Sequence, residues 1–221
     1  MKLYKFRAFD NIEYTMDIIM KERLYCADYK SLNDPFEGLF STIEMQSIGV
    51  LKIGGAPGIH FAQSCQKTSY KTIDQLPALE KPPLICSLSC SMSDVRMWSL
   101  YASGHTGCAI EVDLEVEGNK IVGVTYDKGI RHFKNKLRDD TKAVDILSFK
   151  TNHWEYEKEY RIFSEEKFYS VNGKITGIYL GFRVQDIHKD LIVRCTPKEI
   201  PIYETRIEEK TVEIIPNVKV N

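Results

Sequence analysis

MWSLYASGHTGCAIEVD, Met97 to Asp113, changes its hydrophobic period half-way along. In the overlapping DVRMWSLYAS, residues Val95, Trp98 and Ala102 recur at helical spacing and predict one apolar stripe. Gly104 then suits a left-handed helix C-cap. From Thr106 onward the period is two. Cys108, Ile110 and Val112 fall on one face of a strand, Glu111 and Asp113 on the other. A helix that stops in a glycine turn and feeds a strand points to a mixed fold. Trp98 reads as core, since burying it removes about 150–250 Å² from water, worth up to about 4–6 kcal/mol. Tyr101, His105 and Glu111 carry polar groups out of the same stretch and are candidate ligand-binding residues at the mouth of a site.

The two-residue period recurs on both sides. It predicts strands at LICSLSC (Leu84–Cys90), KIVGVTYD, ITGIYLG, DLIVRC, IPIYETRIE and TVEIIP. At the start, KLYKFRAF alternates so that Tyr4, Phe6 and Ala8 face a core while Lys5 and Arg7 share the other side. Helical spacing marks Ile12, Met16, Ile19 and Met20, leading into a short strand at RLYCA. It also marks Ile130, Phe133, Leu137, Val144 and Leu147. The sum is α+β: a mostly antiparallel sheet with a few packed helices, in one domain over residues 1–221. A less regular insertion is expected near residues 47–83, where IGGAPG reads as a loop and LPALEKPP as a connector.

Composition narrows the function classes. The chain has 221 residues, 43% hydrophobic and 28% charged, which is globular and outside the disordered range. Thirty basic against 31 acidic side chains leave a formal charge of -1, so neither nucleic acid nor a membrane surface is expected as a partner. RHFKNKLR (Arg131–Arg138) is basic, but Asp139 and Asp140 follow at once and a solvated helix face is expected. The six cysteines are scattered and form no CxxC pair. With no signal-like start and no apolar run of about 18 residues, a cytoplasmic protein with reduced thiols is expected. Cys86 and Cys90 would lie ~13 Å apart on a strand, too far for one zinc, so they read as small buried hydrophobes and no metal is predicted.

Two motifs carry chemistry. In WEYEKEYRI, taken as a strand, Glu155, Glu157, Glu159 and Arg161 share one face. Carboxylates about 7 Å apart repel by about 0.6–2.4 kcal/mol at an effective dielectric of 20 to 80, enough to tune an acid or base in a dry cleft. The plainer reading is a wet strand face on which Arg161 neutralises Glu159. In NDPFE, Asp34 closes an Asx-type turn, Phe36 plugs the core, and Asn33 and Glu37 are carried toward the pocket of Arg7.

LYKFRAF, SLNDPFEG, MWSLYASGHTGCAIEVD and HWEYEKEYRI, in that order between Leu3 and Gly181, resemble the bacterial domain-of-unknown-function family numbered twenty-nine seventy-one. That family's name fixes no activity. The order Arg7, then Ser87-x-Ser89, then Glu157-x-Glu159 is similar to that of arginine-type ADP-ribosyltransferases. This resemblance implies an ADP-ribosyltransferase-like or NAD glycohydrolase-like enzyme with NAD as substrate. Arg7 and Ser87 or Ser89 would hold phosphates and ribose. Glu159, with Glu157 beside it, would be catalytic and stabilise an oxocarbenium-like ribose as nicotinamide leaves. It requires Arg7, Ser87 or Ser89, and Glu159 around one cleft and on one side of the sheet. Asn33, Glu37, Tyr101, His105, Glu111 and Arg161 complete the expected ligand-binding set. The alternative is a non-catalytic binding or sensor module for a small anionic ligand or a protein partner, marked by salt-bridged carboxylates and no deep pocket.

Overall fold

The computed structural model describes residues 1–50, 62–76, 81–116, 120–133 and 143–221. In chain order the elements are β1 (Lys2–Arg7), α1 (Ile12–Lys21), β2 (Arg23–Tyr25), β3 (Leu39–Val50), β4 (Ala62–Thr72), β5 (Leu84–Ser89), α2 (Val95–Tyr101), β6 (Cys108–Asp113), β7 (Ile121–Gly123), β8 (Thr125–Asp127) and β9 (Arg131–Phe133). They continue with α3 (Ala143–Leu147), β10 (Phe149–Thr151), a 3-10 helix at Asn152–Glu157, β11 (Glu159–Ser164), β12 (Phe168–Ser170), β13 (Ile175–Leu180), α4 (Asp186–Cys195), β14 (Ile202–Glu208) and β15 (Glu213–Lys219).

The fold is α+β, built on an eight-stranded sheet in the order β15-β14-β13-β6-β1-β5-β11-β7. Neighbours are antiparallel except β13 and β14, which run parallel and are joined through α4. Both faces are covered. On one, Leu3, Cys86, Cys108, Ile110, Ile162 and Ile178 pack with Ile18 and Ile19 of α1 and Ile192 of α4. On the other, Phe6, Ala109 and Tyr179 pack against Met97 and Trp98 of α2. Ile85 and Phe163 of that face meet Ile146 and Leu147 of α3. Trp98 is fully buried and its indole N–H donates to the Met92 carbonyl at 2.6 Å. Cys26, Cys86 and Cys108 are core residues, as small hydrophobes are.

Several expectations change. Within the expected less regular insertion near residues 47–83, Ala62–Thr72 forms strand β4, paired antiparallel with β3, and KIVGVTYD divides into β7 and β8, which join different sheets. DLIVRC belongs to helix α4, not a strand. Leu191, Ile192 and Val193 make a short apolar run of ambiguous period, and a parallel β13–β14 pair needs a crossover, which a helix supplies. Arg131–Phe133 is a strand paired in parallel with β3, not a helix; Leu137 and the rest of the basic segment lie outside the described residues, as does IGGAPG. Finally, Trp154–Glu157 is a 3-10 turn rather than strand, and Lys158 at φ 44 redirects the chain before β11 begins.

The end of β1 is fixed by a close approach. A Cβ on Gly107 would lie 2.0 Å from the carbonyl oxygen of Arg7. Gly107→Ala must therefore push β1 off β6, with an expected loss of about 1–3 kcal/mol. A fall in the urea midpoint checks this, and an unchanged midpoint contradicts it.

Candidate functional site

β1 and β5 are neighbours in the sheet, yet their described pairing is Tyr4 opposite Ser89. Beyond it the strands part. Lys5 spans the opening, its ammonium donating to the Ser87 carbonyl at 3.0 Å. Into this opening runs a cleft of about 1060 Å³. All four stretches that carry the family resemblance line it: Tyr4 to Arg7 from the first, Ser31 to Asn33 from the second, Met97 and Tyr101 from the third, and Glu157 and Glu159 from the fourth.

The floor is a chain of buried charges. Lys150, on β10, donates to Glu157 at 2.6 Å and lies 2.9 Å from Glu159. Arg161, fully buried on β11, holds Glu159 at 2.8 and 3.1 Å and Glu37 at 2.6 and 2.8 Å, both as forked pairs. The Tyr101 hydroxyl donates to the other oxygen of Glu157 and accepts from the Asn33 amide at 2.5 Å. Burial disfavours the charge on Glu159, but Arg161 and Lys150 outweigh it and hold the carboxyl at about 2, with the Ser87 hydroxyl also contributing. Burial likewise opposes charge on Lys150, and Glu159 and Glu157 overcome it, so its pKa is raised. Burial and the Glu157 carboxylate push the Tyr101 phenol well above its ordinary value. Burial pushes Glu37 up despite its Arg161 partner. Such a cluster on a cleft floor is a functional-site candidate on physical grounds.

The other end differs. Lys5, Arg7, Lys21 and Arg23 stand there against Asp17 and Glu13. Asp17 is shared by Arg23 at 2.9 Å and Lys21 at 2.7 Å. Among the described residues, Arg7 alone of the cleft's five cations makes neither a hydrogen bond nor an ion pair. Its Nε is buried without a partner, and its guanidinium sits 5.6 Å from the Tyr14 ring centroid.

Seven of the expected residues thus meet at the cleft: Arg7, Asn33, Ser87, Ser89, Tyr101, Glu157 and Glu159. The other four do not line it. Glu37 and Arg161 lie beneath, satisfied by each other and by Glu159. Glu111, expected at the mouth of the site, is instead buried among Lys2, Tyr4, Thr176 and Tyr179. His105 is buried, not at the mouth; its ring stacks on Trp98 and packs on Phe182 at 4.5 Å. Burial, with Arg183 nearby, pulls its pKa down. Ser89 donates to the Glu157 carbonyl at 2.7 Å and so serves the backbone. Asp34 does close its turn, accepting from the Phe36 N–H at 2.9 Å, but Phe36 is exposed and plugs nothing.

Pleating separates Arg7 from Glu159. Residues directly opposite on neighbouring strands share a face. Glu159 pairs with Ser89, and Ser89 with Tyr4, so all three share one side. Arg7 pairs with core residue Cys108 and alternates with Tyr4, which puts it on the other. The two reach one cleft from opposite faces, through the opening between β1 and β5.

Sequence reading missed Lys150, Lys5 and the mouth residues Arg23, Tyr25 and Phe168. The signal for Lys150 was a lone lysine in the strand-like triplet Phe149–Thr151. Among the described residues no group of His, Cys, Asp and Glu is placed to hold a metal ion, and no helix is long and apolar enough to cross a membrane. No family model, curated protein or solved structure matches the chain.

Proposed function

We propose that the cleft binds a phosphate-bearing small molecule of nucleotide size, with its anionic group on Arg7 and its hydroxyl-bearing part over Glu157. The observation that carries this is Arg7, which lines the cleft while its side chain makes neither a hydrogen bond nor an ion pair among the described residues. A guanidinium without a protein partner is a ready donor to an anion, and a phosphate gives it charge-assisted bonds worth about twice a neutral one. The cleft's volume suits one such ligand. We also propose kinship with the bacterial family named above, since its four stretches all contribute to this one cleft.

A second reading adds turnover: cleavage of the N-glycosidic bond of NAD. It is favoured by Glu157, which lines the cleft while each of its oxygens carries one partner, leaving lone pairs for a substrate. Glu157 would stabilise the positive charge on the ribose as nicotinamide leaves with the bonding pair, and water would add and lose its proton. Glu159 is the weaker choice, because its two oxygens carry three cationic contacts, two from Arg161 and one from Lys150, against a phenol and one ammonium on Glu157. The same-side arrangement of Arg7 and Glu159 that the ADP-ribosyltransferase resemblance requires is not met, so this reading rests on Glu157 and not on that motif.

Thermal unfolding with and without NAD, ATP and ADP tests both readings. A ligand at about 100 times its dissociation constant stabilises by about 2.7 kcal/mol. An upward shift that disappears in Arg7→Ala supports the binding reading. No shift with any of the three contradicts it. Nicotinamide release by the parent, lost in Glu157→Gln while the thermal shift persists, establishes the second reading; its absence from the parent removes it.

A further inference from the structure

We infer that the mouth of the cleft holds a nucleobase, stacked between the Tyr25 ring and the Arg23 guanidinium that covers Phe168, so that the ligand is a nucleotide rather than a simple phosphate or sugar phosphate. This rests on the phosphate-binding reading above and deepens it. β2 and β12 form a two-stranded antiparallel ribbon in which Phe168 stands directly opposite Tyr25. Opposed residues share a face, and the two rings meet edge to face at 5.7 Å between centroids. Both line the cleft, yet Tyr25 is 55% and Phe168 42% exposed. Large rings held in fixed orientation and left open to water on a cleft wall are a stacking surface.

The neighbouring charge selects what stacks there. The Arg23 guanidinium lies 3.7 Å from the Phe168 ring centroid and is held in plane by both oxygens of Asp17, at 2.9 Å each. Its donors toward Asp17 are used, so what it offers a ligand is a flat, fixed cation over an aromatic ring. That suits the π-face of a base, by stacking and cation–π attraction. Arg7, the unpartnered cation, lines the same cleft and is left for the phosphate. Exposed rings beside a free guanidinium match a base joined to a phosphate. They do not match an apolar ligand, which has nothing to offer Arg7, or a free phosphate, which has nothing to offer the rings.

Calorimetric titration of the whole chain with ADP and with ribose 5-phosphate tests this. The expected result is about tenfold tighter binding of ADP, the scale of one base stacked on aromatic side chains. Tyr25→Ala combined with Phe168→Ala removes that preference and leaves ribose 5-phosphate binding unchanged. Because Phe168 also packs on Arg23, Tyr25→Leu alone is the second variant, with a partial loss expected. Arg7→Ala weakens both ligands. Equal affinities in the parent, with both lost in Arg7→Ala, would overturn the nucleobase platform and leave the phosphate site standing. A preference for ADP that survives the double variant would also overturn it. If neither ligand binds at millimolar concentration, the platform and the phosphate site fall together.

Discussion

Arg161→Met is expected to lower stability by about 3–5 kcal/mol, with the urea midpoint falling and the slope of the transition unchanged. Arg161 is fully buried, and so nearly are the two carboxylates it holds, each 3% exposed in its side chain. Its guanidinium makes forked bonds to both Glu37 and Glu159 and also donates to the Leu147 carbonyl. Methionine has similar length and no charge. It would leave Glu37 without a counter-ion and Glu159 with Lys150 alone. Uncompensated buried charge, not the lost attraction, sets the size of the effect. Adding Glu37→Gln should recover part of the loss, since it removes the stranded carboxylate. A destabilisation below about 1 kcal/mol would mean that water or backbone movement satisfies these groups, and that the floor is not the rigid base described.

The second large effect appears in acid. The folded-state carboxyl of Glu159 is held at about 2, below its ordinary value of 4.5. A depressed carboxylate stabilises the folded chain above its unfolded value, and that contribution is lost as pH falls toward the folded one. From these values it is about 3 kcal/mol, fully present at neutral pH and lost between about pH 4.5 and pH 2. Glu37 has the opposite sign. Burial raises its pKa, so protonating it favours the folded chain as pH falls through its raised value. Denaturant unfolding across this window, in the parent and in Glu159→Gln, isolates the larger effect. The variant is less stable at neutral pH, because Arg161 and Lys150 lose a partner, but its stability falls less steeply below pH 4.5. Equal slopes would show that Glu159 is not held by these two cations.

What was legible in the sequence follows the physics of each segment. β1, β5, β6, β13, β14 and β15 carry strong alternation or apolar runs bounded by turns, and all six are strands where expected. The face assignment within β1 also holds for Tyr4 and Phe6 against Lys5 and Arg7. What alternation cannot encode is that the other face is buried as well, as Leu3 is. Helix α4 was hidden because its exposed Ile187 and Leu191 blur the amphipathic stripe. At the site, residue types were legible and connections were not. Glu157 and Glu159 do meet, but through Lys150 and a 3-10 turn with a left-handed Lys158, not along one strand face. Glu111 and Arg7 stood in the right neighbourhood of the sequence and on different sides of the sheet. The parting of β1 from β5, which makes the cleft, is a property of strand pairing between distant segments and leaves no local signature.

Arg7 is placed to receive a phosphate in the opening between β1 and β5 under the proposed function. A crystal structure of the chain soaked with ADP tests it most directly. Diphosphate density is expected within hydrogen-bond distance of the Arg7 guanidinium, with the sugar directed toward Glu157. ADP bound elsewhere, or a cleft that stays empty at millimolar ADP, would contradict it.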